Sequence, residues 1–307
     1  MSTIIPDIKT LKTVVKINAA IPYESVSPYI CDALDIYIEP QIGNVLIEIA
    51  NTGEDATLRD KILRCLGPLT LALATDELGI QFGDSGITVS NEQGKRSPAN
   101  EAKITAAKAN LFFRGMQALD RLLEYLERNK QKYPDYADHI SITSQVPCFI
   151  RSAQEYQDIG LVNIDYSTLT YRTMLPTIRQ LQERHIREML TDDLYNRLLT
   201  MTTPDAKYRI LQEYVIRYLA NKSAELYTSQ TSRQERSGPG TPEYQPVLRP
   251  VYQDSTETGN FFAQQADYYS GKISSFLNEN AEHLGINKPS VAIDFNSKDK
   301  KMFTSIS

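Results

Sequence analysis

The stretch PYICDALDIYIEPQIGNVLIEIANTGEDATLRDKILRCLGPLTLALATDEL, residues 28–78, decides the fold because a second stretch of the chain resembles it. Placed without a gap on residues 176–226, it lies 148 positions from its match. Most shared positions are apolar and helically spaced, so the likeness preserves a core and not a reaction centre. The identical pairs include Pro28 with Pro176, Ile30 with Ile178, Ile38 with Ile186, Leu46 with Leu194, Ile62 with Ile210, Leu63 with Leu211, Leu71 with Leu219, Ala72 with Ala220, Glu77 with Glu225 and Leu78 with Leu226.

A repeat of this length predicts two related lobes and not a solenoid of short units. The alternative is that amphipathic helices match by composition alone. The predicted fold class is mainly α, with two related helical-bundle lobes from an internal duplication, a small β-hairpin and extended terminal arms. The predicted divisions are an N-terminal arm (1–23), a first helical repeat (24–130) with a hairpin (79–90), a connector (131–165), a second helical repeat (166–285) with a long loop (227–250), and a C-terminal arm (286–307).

Proline and glycine residues indicate where helices bend or approach one another. Pro40 and Gly43 interrupt the apolar stripe of the first helix, which predicts a kink or two shorter helices. Gly115 lies on the stripe of a helix predicted at about 100–130, and its missing side chain permits close helix approach. The segment GIQFGDSGITVS, Gly79–Ser90, alternates around a turn and predicts a hairpin.

Composition and charge exclude several classes of protein. A net charge of −5 argues against a broad cationic surface for nucleic acid and leaves room for a local basic patch. No stretch approaches the roughly 18 apolar residues of a membrane span, and the start, MSTIIPDIKTLKTVV, lacks the features of a signal peptide. The cysteines, Cys31, Cys65 and Cys148, form no CxxC motif, which fits a reducing compartment. Cys31 and Cys65 fall in apolar helical runs and are predicted core residues.

The sequence motifs do not predict catalysis, a cofactor or a metal site. Gly83-Asp84-Ser85-Gly86 matches the nucleophile loop of chymotrypsin-like proteases, whose histidine base precedes the serine. Here His139, His185 and His283 all follow it, so a hairpin turn explains the string better. The glycine-lysine pairs lack the upstream glycine and the following serine or threonine of a Walker A loop. The three histidines lie far apart in the sequence, and no HExxH motif or other metal-ligand spacing occurs around them. We therefore expect no enzymatic activity and no catalytic, cofactor-binding or metal-binding residues.

Aromatic residues and the chain's C-terminal segment are the candidate contact elements. The run from Phe261 to Phe276 is too rich in aromatic residues for one helix face, which favours an interface with another lobe or subunit. The tail Lys288–Ser307 is basic and has no core of its own, so we expect it to dock on a neighbour. The candidate interface residues are Phe82, Asp84, Ile87, Tyr244, Phe261, Phe262, Tyr268, Tyr269, Phe295, Lys300 and Phe303.

Three stretches also resemble an uncharacterised family from Bacteroidales phages and prophages. They are SVSPYICDALDIYIEPQIG, LATDELGIQFGDSGITVS and LFFRGMQALDRLLEYLERNKQKYP, and the resemblance extends through the second copy from YRTMLPTIRQLQERHIREML. Such proteins are similar to head-to-tail connector, neck or adaptor components of virions. The resemblance implies a homo-oligomeric ring that contacts portal and tail or neck proteins, with DNA passing through its channel without sequence-specific binding. It implies no cofactor, no membrane partner and no active-site residues.

Three functional hypotheses follow. The first is a virion structural protein, assembled in the host cytoplasm, that forms a neck ring between portal and tail. The second is a soluble helical adaptor or scaffold that binds one protein partner through the same aromatic faces. The third is an enzyme whose site is assembled from dispersed carboxylates or tyrosines, which would require a pocket with convergent polar groups.

Overall fold

The computed structural model describes residues 4–17, 21–75, 77, 80–83, 86–89, 101–143, 147–233 and 255–286, and most of them are helical. The mainly α fold class is therefore confirmed. Two hydrophobic cores organise the packing. The first is built from residues between Ile4 and Tyr136, joined by Leu169, and the second from residues between Phe149 and Leu284. We call residues 4–143 the first half and residues 147–286 the second half.

The first half contains seven helices in its described part, together with a 3₁₀ turn at Tyr23–Ser25 and a π-helical turn at Leu34–Ile38. Its longest helices pack against each other, and the residues after the second of them return to the start of the first. The helices are α1 (Ile8–Lys12), α2 (Ser27–Ala33), α3 (Glu39–Ile42), α4 (Asn44–Thr52), α5 (Ala56–Ala74), α6 (Glu101–Arg128) and α7 (Pro134–Thr143).

The second half has the same general plan, with a π-helical turn at Gln182–Ile186. Here too the two longest helices pack against each other and contribute to one core. Its helices are α8 (Ala153–Asp158), α9 (Thr168–Leu181), α10 (Arg187–Met189), α11 (Asp192–Thr200), α12 (Ala206–Arg233), α13 (Ser255–Glu279) and α14 (Ala281–Leu284).

The π-helical turns occur at corresponding positions of the two halves. The second turn lies 148 residues after the first, and α11 follows α4 at the same shift with the same length of nine residues. Ile38 and Ile186, the last residues of the turns, are both fully buried. Leu46 and Leu194 occupy matching buried positions in α4 and α11. Secondary structure and burial therefore follow the same register from the π-turns to the end of these helices.

The ungapped register does not continue into the next helix. Ile62 is fully buried in α5, whereas its sequence match, Ile210 in α12, is 38% exposed. The aspartates that cap these helices, Asp55 and Asp205, are 150 residues apart, which places two extra residues in the second connection. The pairing of Ile62 with Ile210 is therefore wrong as a structural correspondence.

The interruption predicted at Pro40 and Gly43 is confirmed. Pro40 lies in the first turn of α3, directly after the π-turn. Gly43 ends α3 with φ of 79°, a left-handed value that side chains disfavour, and α4 begins at the next residue. The amphipathic stripe is thus divided between helices that are separated by one glycine.

The close approach predicted at Gly115 is also confirmed. A Cβ placed on this residue of α6 would lie 2.6 Å from Cγ of Leu69 and 3.3 Å from the carbonyl oxygen of Cys65. Both neighbours belong to α5, so the glycine sets the separation of the two helices.

The hairpin region contains two short antiparallel strands, β1 (Ile80–Gly83) and β2 (Gly86–Val89). Gly83 pairs with Gly86, and Ile80 pairs with Val89 at the other end. Both strands lie within the stretch expected to form a hairpin, and Asp84 and Ser85 between them are outside the described residues.

Several predicted boundaries change in the structure. The expected N-terminal arm contributes Ile4, Ile5 and Leu11 to the first core. The expected connector, 131–165, is divided between the cores, with Tyr136 in the first and Tyr156 in the second. The predicted loop 227–250 begins too early, because α12 continues through Arg233 before the glycine- and proline-rich segment. Its remainder and the C-terminal arm from residue 287 lie outside the described residues.

The cysteines separate two environments that the apolar pattern did not distinguish. Cys65 is buried as predicted, and its thiol donates to the carbonyl oxygen of Lys61 at 3.1 Å. Cys31 is exposed, so its assignment to the core is wrong. Ile30 of the same helix faces the core, and one step along a helix turns the next side chain away from it.

Candidate interaction surfaces

The predicted aromatic face of α13 divides into an exposed and a buried part. Phe261 and Tyr268 are 55% and 54% exposed, whereas Phe262 is half-buried. Tyr269 is buried in the second core, with its ring centroid 6.4 Å from that of Tyr214. Tyr269 therefore packs within its own chain and is not available as an interface residue. Phe261 and Tyr268 are the members of the predicted set that present large apolar surface to solvent.

The side chains of the remaining predicted interface residues are outside what the structure describes. Phe82 and Ile87 form a backbone pair of the hairpin, and their side chains lie outside what is described. The other predicted residues are outside the described residues altogether, namely Asp84, Tyr244, Phe295, Lys300 and Phe303.

The structure adds exposed apolar residues in the first half that the sequence predictions omitted. Ile36 in the π-turn is 56% exposed, and Val45 and Phe113 are also exposed. The N-terminal part of α6, residues 102–107, is exposed on every side, so this helix extends beyond its packed region. A helical wheel could have identified Ile36 and Val45 as exposed, because neither residue lies on the buried stripe of its helix.

A carboxylate of the first half caps a helix of the second half. Asp120 in α6 accepts the backbone amide of Leu169 at 3.1 Å and also hydrogen-bonds with Ser167 and Thr168. Ser167, Thr168 and Leu169 lie at the N-terminus of α9, where the first backbone amides lack helical partners. Burial raises the pKa of the Asp120 carboxyl, because the charged form loses solvation. The contact joins the halves, and nothing in the local sequence marked it.

Arg172 in α9 is the second link between the halves. One terminal nitrogen donates to the backbone and side-chain oxygens of Gln41, each at 3.1 Å. The other donates to the Tyr136 hydroxyl at 2.6 Å and lies 3.3 Å from a carboxylate oxygen of Glu127. The guanidinium therefore serves three elements of the first half, a role suited to its fixed array of donors.

A cleft of about 550 Å³ lies beside this junction and carries charges of both signs. Arg128 pairs with Glu124 at 2.5 Å, and Lys130 pairs with Glu127 at 2.5 Å. Arg172 also pairs with Glu127, so three of the four cations among the described residues that line the cleft already have a carboxylate partner, and only Arg151 is left to favour an anionic ligand.

A second groove, of about 780 Å³, lies between α1, α5 and α6 and has a different charge balance. Four cationic side chains line it, and Asp60 is the carboxylate among its lining residues. The lining residues are Thr13, Val14, Asp60, Lys61, Arg64, Pro68, Arg114, Gln117, Ala118, Arg121 and Leu122. We call this feature the basic groove.

The titratable groups with the clearest structural roles lie at the helix starts. The Asp55 carboxylate accepts from the Leu58 amide at 2.9 Å, Lys132 at 2.6 Å and Tyr133 at 2.8 Å. The Lys132 ammonium is the main cause that lowers the pKa of Asp55 to about 2, helped by the Leu58 amide and Tyr133. Its charged form is thus held by a cap and an ion pair, which is a structural arrangement.

Several buried polar side chains of the second core form hydrogen bonds within the chain. Tyr156 donates to the carbonyl oxygen of Ala220 at 2.9 Å, and burial raises the pKa of its phenol. The His185 ring lies 2.5 Å from the Tyr218 hydroxyl, and burial lowers the pKa of this imidazole. These groups stay neutral near pH 7, so they contribute hydrogen bonds and no charge.

The described residues contain no grouping of histidine, cysteine, aspartate or glutamate arranged to hold a metal ion. Within the same ranges, no helix combines the length and apolar character that crossing a membrane requires. The features that stand out are instead surfaces: the exposed aromatic residues of α6 and α13, and the basic groove.

Comparison with known proteins finds a family model that is similar to part of the chain. Residues 34–145 match a family described as "Family of unknown function (DUF6712)". The match begins at the first π-turn and ends just after α7, so it covers most of the first half and somewhat more than a third of the chain. No curated protein and no solved structure matches the chain.

Proposed function

We propose that this chain is a non-enzymatic virion structural protein, a ring subunit of a phage head-to-tail connector that bridges portal and tail. The observation that carries the proposal is the exposed aromatic surface on the second long helix of each half, with Phe113 on α6 and Phe261 and Tyr268 on α13. A ring subunit makes heterologous contacts, so it requires two different adhesive faces. Exposed aromatic side chains on α6 and on α13 would supply one such face each.

The same proposal includes an internal duplication of the helical unit. Its support is the recurrence of a π-turn, a nine-residue helix and an aspartate-capped long helix in the same order. π-turns are rare, so finding two at corresponding positions is more specific than a shared apolar stripe. A doubled unit would give one chain two versions of the same assembly surface.

The connector would be located in the virion, with portal and tail proteins as neighbours and DNA passing through its channel. The proposal of a non-enzymatic role is supported by the use of polar groups in packing. The most buried tyrosines and the link residues Asp120 and Arg172 have intramolecular partners.

Quantitative mass spectrometry of purified, DNase-treated particles tests the proposal. We expect the chain at a low, fixed copy number relative to the capsid protein. Absence from intact particles, with the chain present in the lysate, would contradict a connector role.

The second candidate is a helical adaptor or scaffold that binds a single partner. The observation in its favour is an asymmetry between the halves, because exposed Ile36 and Val45 correspond to charged Arg184 and Asp193 in the second half. An apolar surface on one half suits a one-to-one complex. This candidate predicts a binary complex in the lysate and no copies in the particle.

A further inference from the structure

The basic groove differs from the rest of the molecule in its charge. The whole chain has a net charge of −5, yet the groove presents Lys61, Arg64, Arg114 and Arg121 around one carboxylate, Asp60. An adjoining depression of about 490 Å³ shares Thr13 and Asp60 with it and adds Lys9 and Arg59 to its edge. Cationic residues therefore continue around α1 from one depression to the next.

Each groove cation retains capacity for an anion. Arg121 is exposed and makes no hydrogen bond or ion pair with any described residue. Arg114 donates to the carbonyl oxygen of Val14 at 3.1 Å, a contact that fixes the guanidinium and leaves other N–H groups for a ligand.

The other two cations are held loosely. Arg64 pairs with Asp60 at 2.7 Å, but both side chains are mostly exposed, and such pairs stabilise little. The Lys61 ammonium lies 4.6 Å from the ring centroid of Tyr125, which orients it without neutralising its charge.

The two arginines of α6 are spaced along one wall of the groove. Arg114 and Arg121 are seven residues apart, about 10 Å along the helix axis, and therefore lie on the same face. Lys61 and Arg64 stand on α5, which forms the opposite wall. An anion that fits the groove thus has several charges distributed over about 10 Å.

We propose that the basic groove binds the phosphate backbone of duplex DNA. The described residues that line it include no aromatic side chain on which an unpaired base could stack, which disfavours single strands. The apolar residues among its described lining are Val14, Pro68, Ala118 and Leu122, none of them an aromatic anchor of the kind on which protein partners usually depend. Charge alone is sufficient for backbone phosphates, and that kind of binding is independent of sequence.

This inference deepens the proposed function by assigning a surface to the DNA, and its biological setting rests on that function. The contact would be weak, because only a few cations are present and strong binding would hinder movement of DNA through a ring. Binding by the isolated chain can be measured without assembly, so failure of the groove and failure of the connector role are distinguishable.

Fluorescence anisotropy with a labelled duplex of about 20 base pairs tests the groove directly. We expect the full chain to bind at about 50 mM salt, with log affinity falling against log salt at a slope of about −3. The double variant Arg64→Glu/Arg121→Glu should bind about tenfold or more weakly and with a shallower slope. Both side chains are exposed, so circular dichroism should show an unchanged fold.

A matched control reverses two exposed arginines elsewhere. The double variant Arg184→Glu/Arg209→Glu makes the same change in net charge in the second half, where both residues are exposed. We expect it to retain most of the wild-type affinity, because screening at this salt limits the reach of distant charges to roughly a Debye length.

Three outcomes would overturn the inference. The first is no binding by the wild-type chain at about 100 μM protein and about 50 mM salt. The second is an equal loss in both double variants, which would indicate a general charge effect. The third is displacement of the duplex by poly-glutamate at equal charge concentration, which would assign the groove to an acidic protein segment. Purified particles that contain the chain while the isolated chain fails to bind DNA would reject the groove and keep the connector.

Discussion

The starts of α5 and α12 show how two similar halves differ in chemistry. Each helix is capped by an aspartate that accepts the amide three residues ahead, Asp55 from Leu58 at 2.9 Å and Asp205 from Tyr208 at 3.0 Å. In each half, a residue that follows the second long helix, α6 or α13, contacts this aspartate. It is Lys132 at 2.6 Å in the first half and His283 at 3.0 Å in the second. The same geometry therefore joins a permanent cation to one cap and an imidazole to the other.

The comparison teaches that backbone frame and side-chain partner can change separately. A helix cap depends on the aspartate and on local backbone amides, which are present in both halves. The residue that contacts the cap from outside contributes only a surface ion pair or hydrogen bond, so it can be exchanged at small cost.

The largest expected effect comes from removing the buried isoleucine that closes each π-turn. Ile38→Ala and Ile186→Ala should each lower the free energy of unfolding by about 2–5 kcal/mol, because both side chains are fully buried. Denaturant titration measures the loss, and hydrogen exchange shows which half opens first. An effect confined to one of the two would show that the turns are not structurally equivalent.

The next effect is a difference in stability between alanine substitutions at a glycine of α6 and at a glycine of α13. Gly115→Ala should cost about 1–3 kcal/mol, because the new methyl group would overlap the Leu69 side chain. Gly271→Ala in α13 should instead stabilise by about 0.5–1 kcal/mol, since its Cβ would meet nothing within 4 Å. Thermal unfolding of the pair measures both, and a loss of stability in the Gly271 variant would contradict the open environment described for it.

Removing the caps should have a smaller effect that differs between the halves. Asp55→Ala should cost about 1–2 kcal/mol, because the cap and the contacts to Lys132 and Tyr133 are lost together. Asp205→Ala should cost about 1 kcal/mol or less, since its external partner is the half-exposed His283. Urea titration at neutral pH compares the two, and a larger cost for Asp205 would reverse the comparison.

The smallest effect concerns acid stability. The pKa of Asp55 in the folded chain, about 2, lies below its ordinary value of 3.8. The contribution of this carboxylate to stability is therefore fully present above pH 3.8 and is lost as the pH falls toward about 2.

Carboxyl titration by NMR should show the partner responsible at each cap. In Lys132→Met the pKa of Asp55 should rise toward 3.8, because Lys132 is the main cause of its depression. In His283→Ala the pKa of Asp205 should stay lowered, because the Tyr208 backbone amide contributes most. An unchanged Asp55 pKa without Lys132 would assign the depression to the Leu58 amide and the Tyr133 hydroxyl instead.

The sequence predicted features that depend on neighbours along the chain. Pro40 and Gly43 predicted the break between α3 and α4, and the apolar stripe predicted the close approach at Gly115. These features follow from local backbone geometry and helical spacing. The same reasoning placed Cys31 in the core, because an apolar run does not fix which residue at its margin faces outward.

The candidate surfaces were less predictable, because they depend on tertiary arrangement. The hydrogen bonds of Arg172 to Gln41 connect residues separated by 131 positions, and no local motif marks either one. The basic groove draws its cations from two helices, so no run of basic residues reveals it. The aromatic run of α13 was visible in the sequence, yet burial of Tyr269 required the packing of α12 to be known.

Interruption of the gene tests the connector role most directly. A phage carrying an early stop codon in this gene would be grown in a host that does not suppress it, and the lysate examined by electron microscopy. The account predicts DNA-filled heads and separate tails, with joined particles restored when the full chain is supplied from a plasmid. Normal numbers of joined, infectious particles without the chain would contradict it.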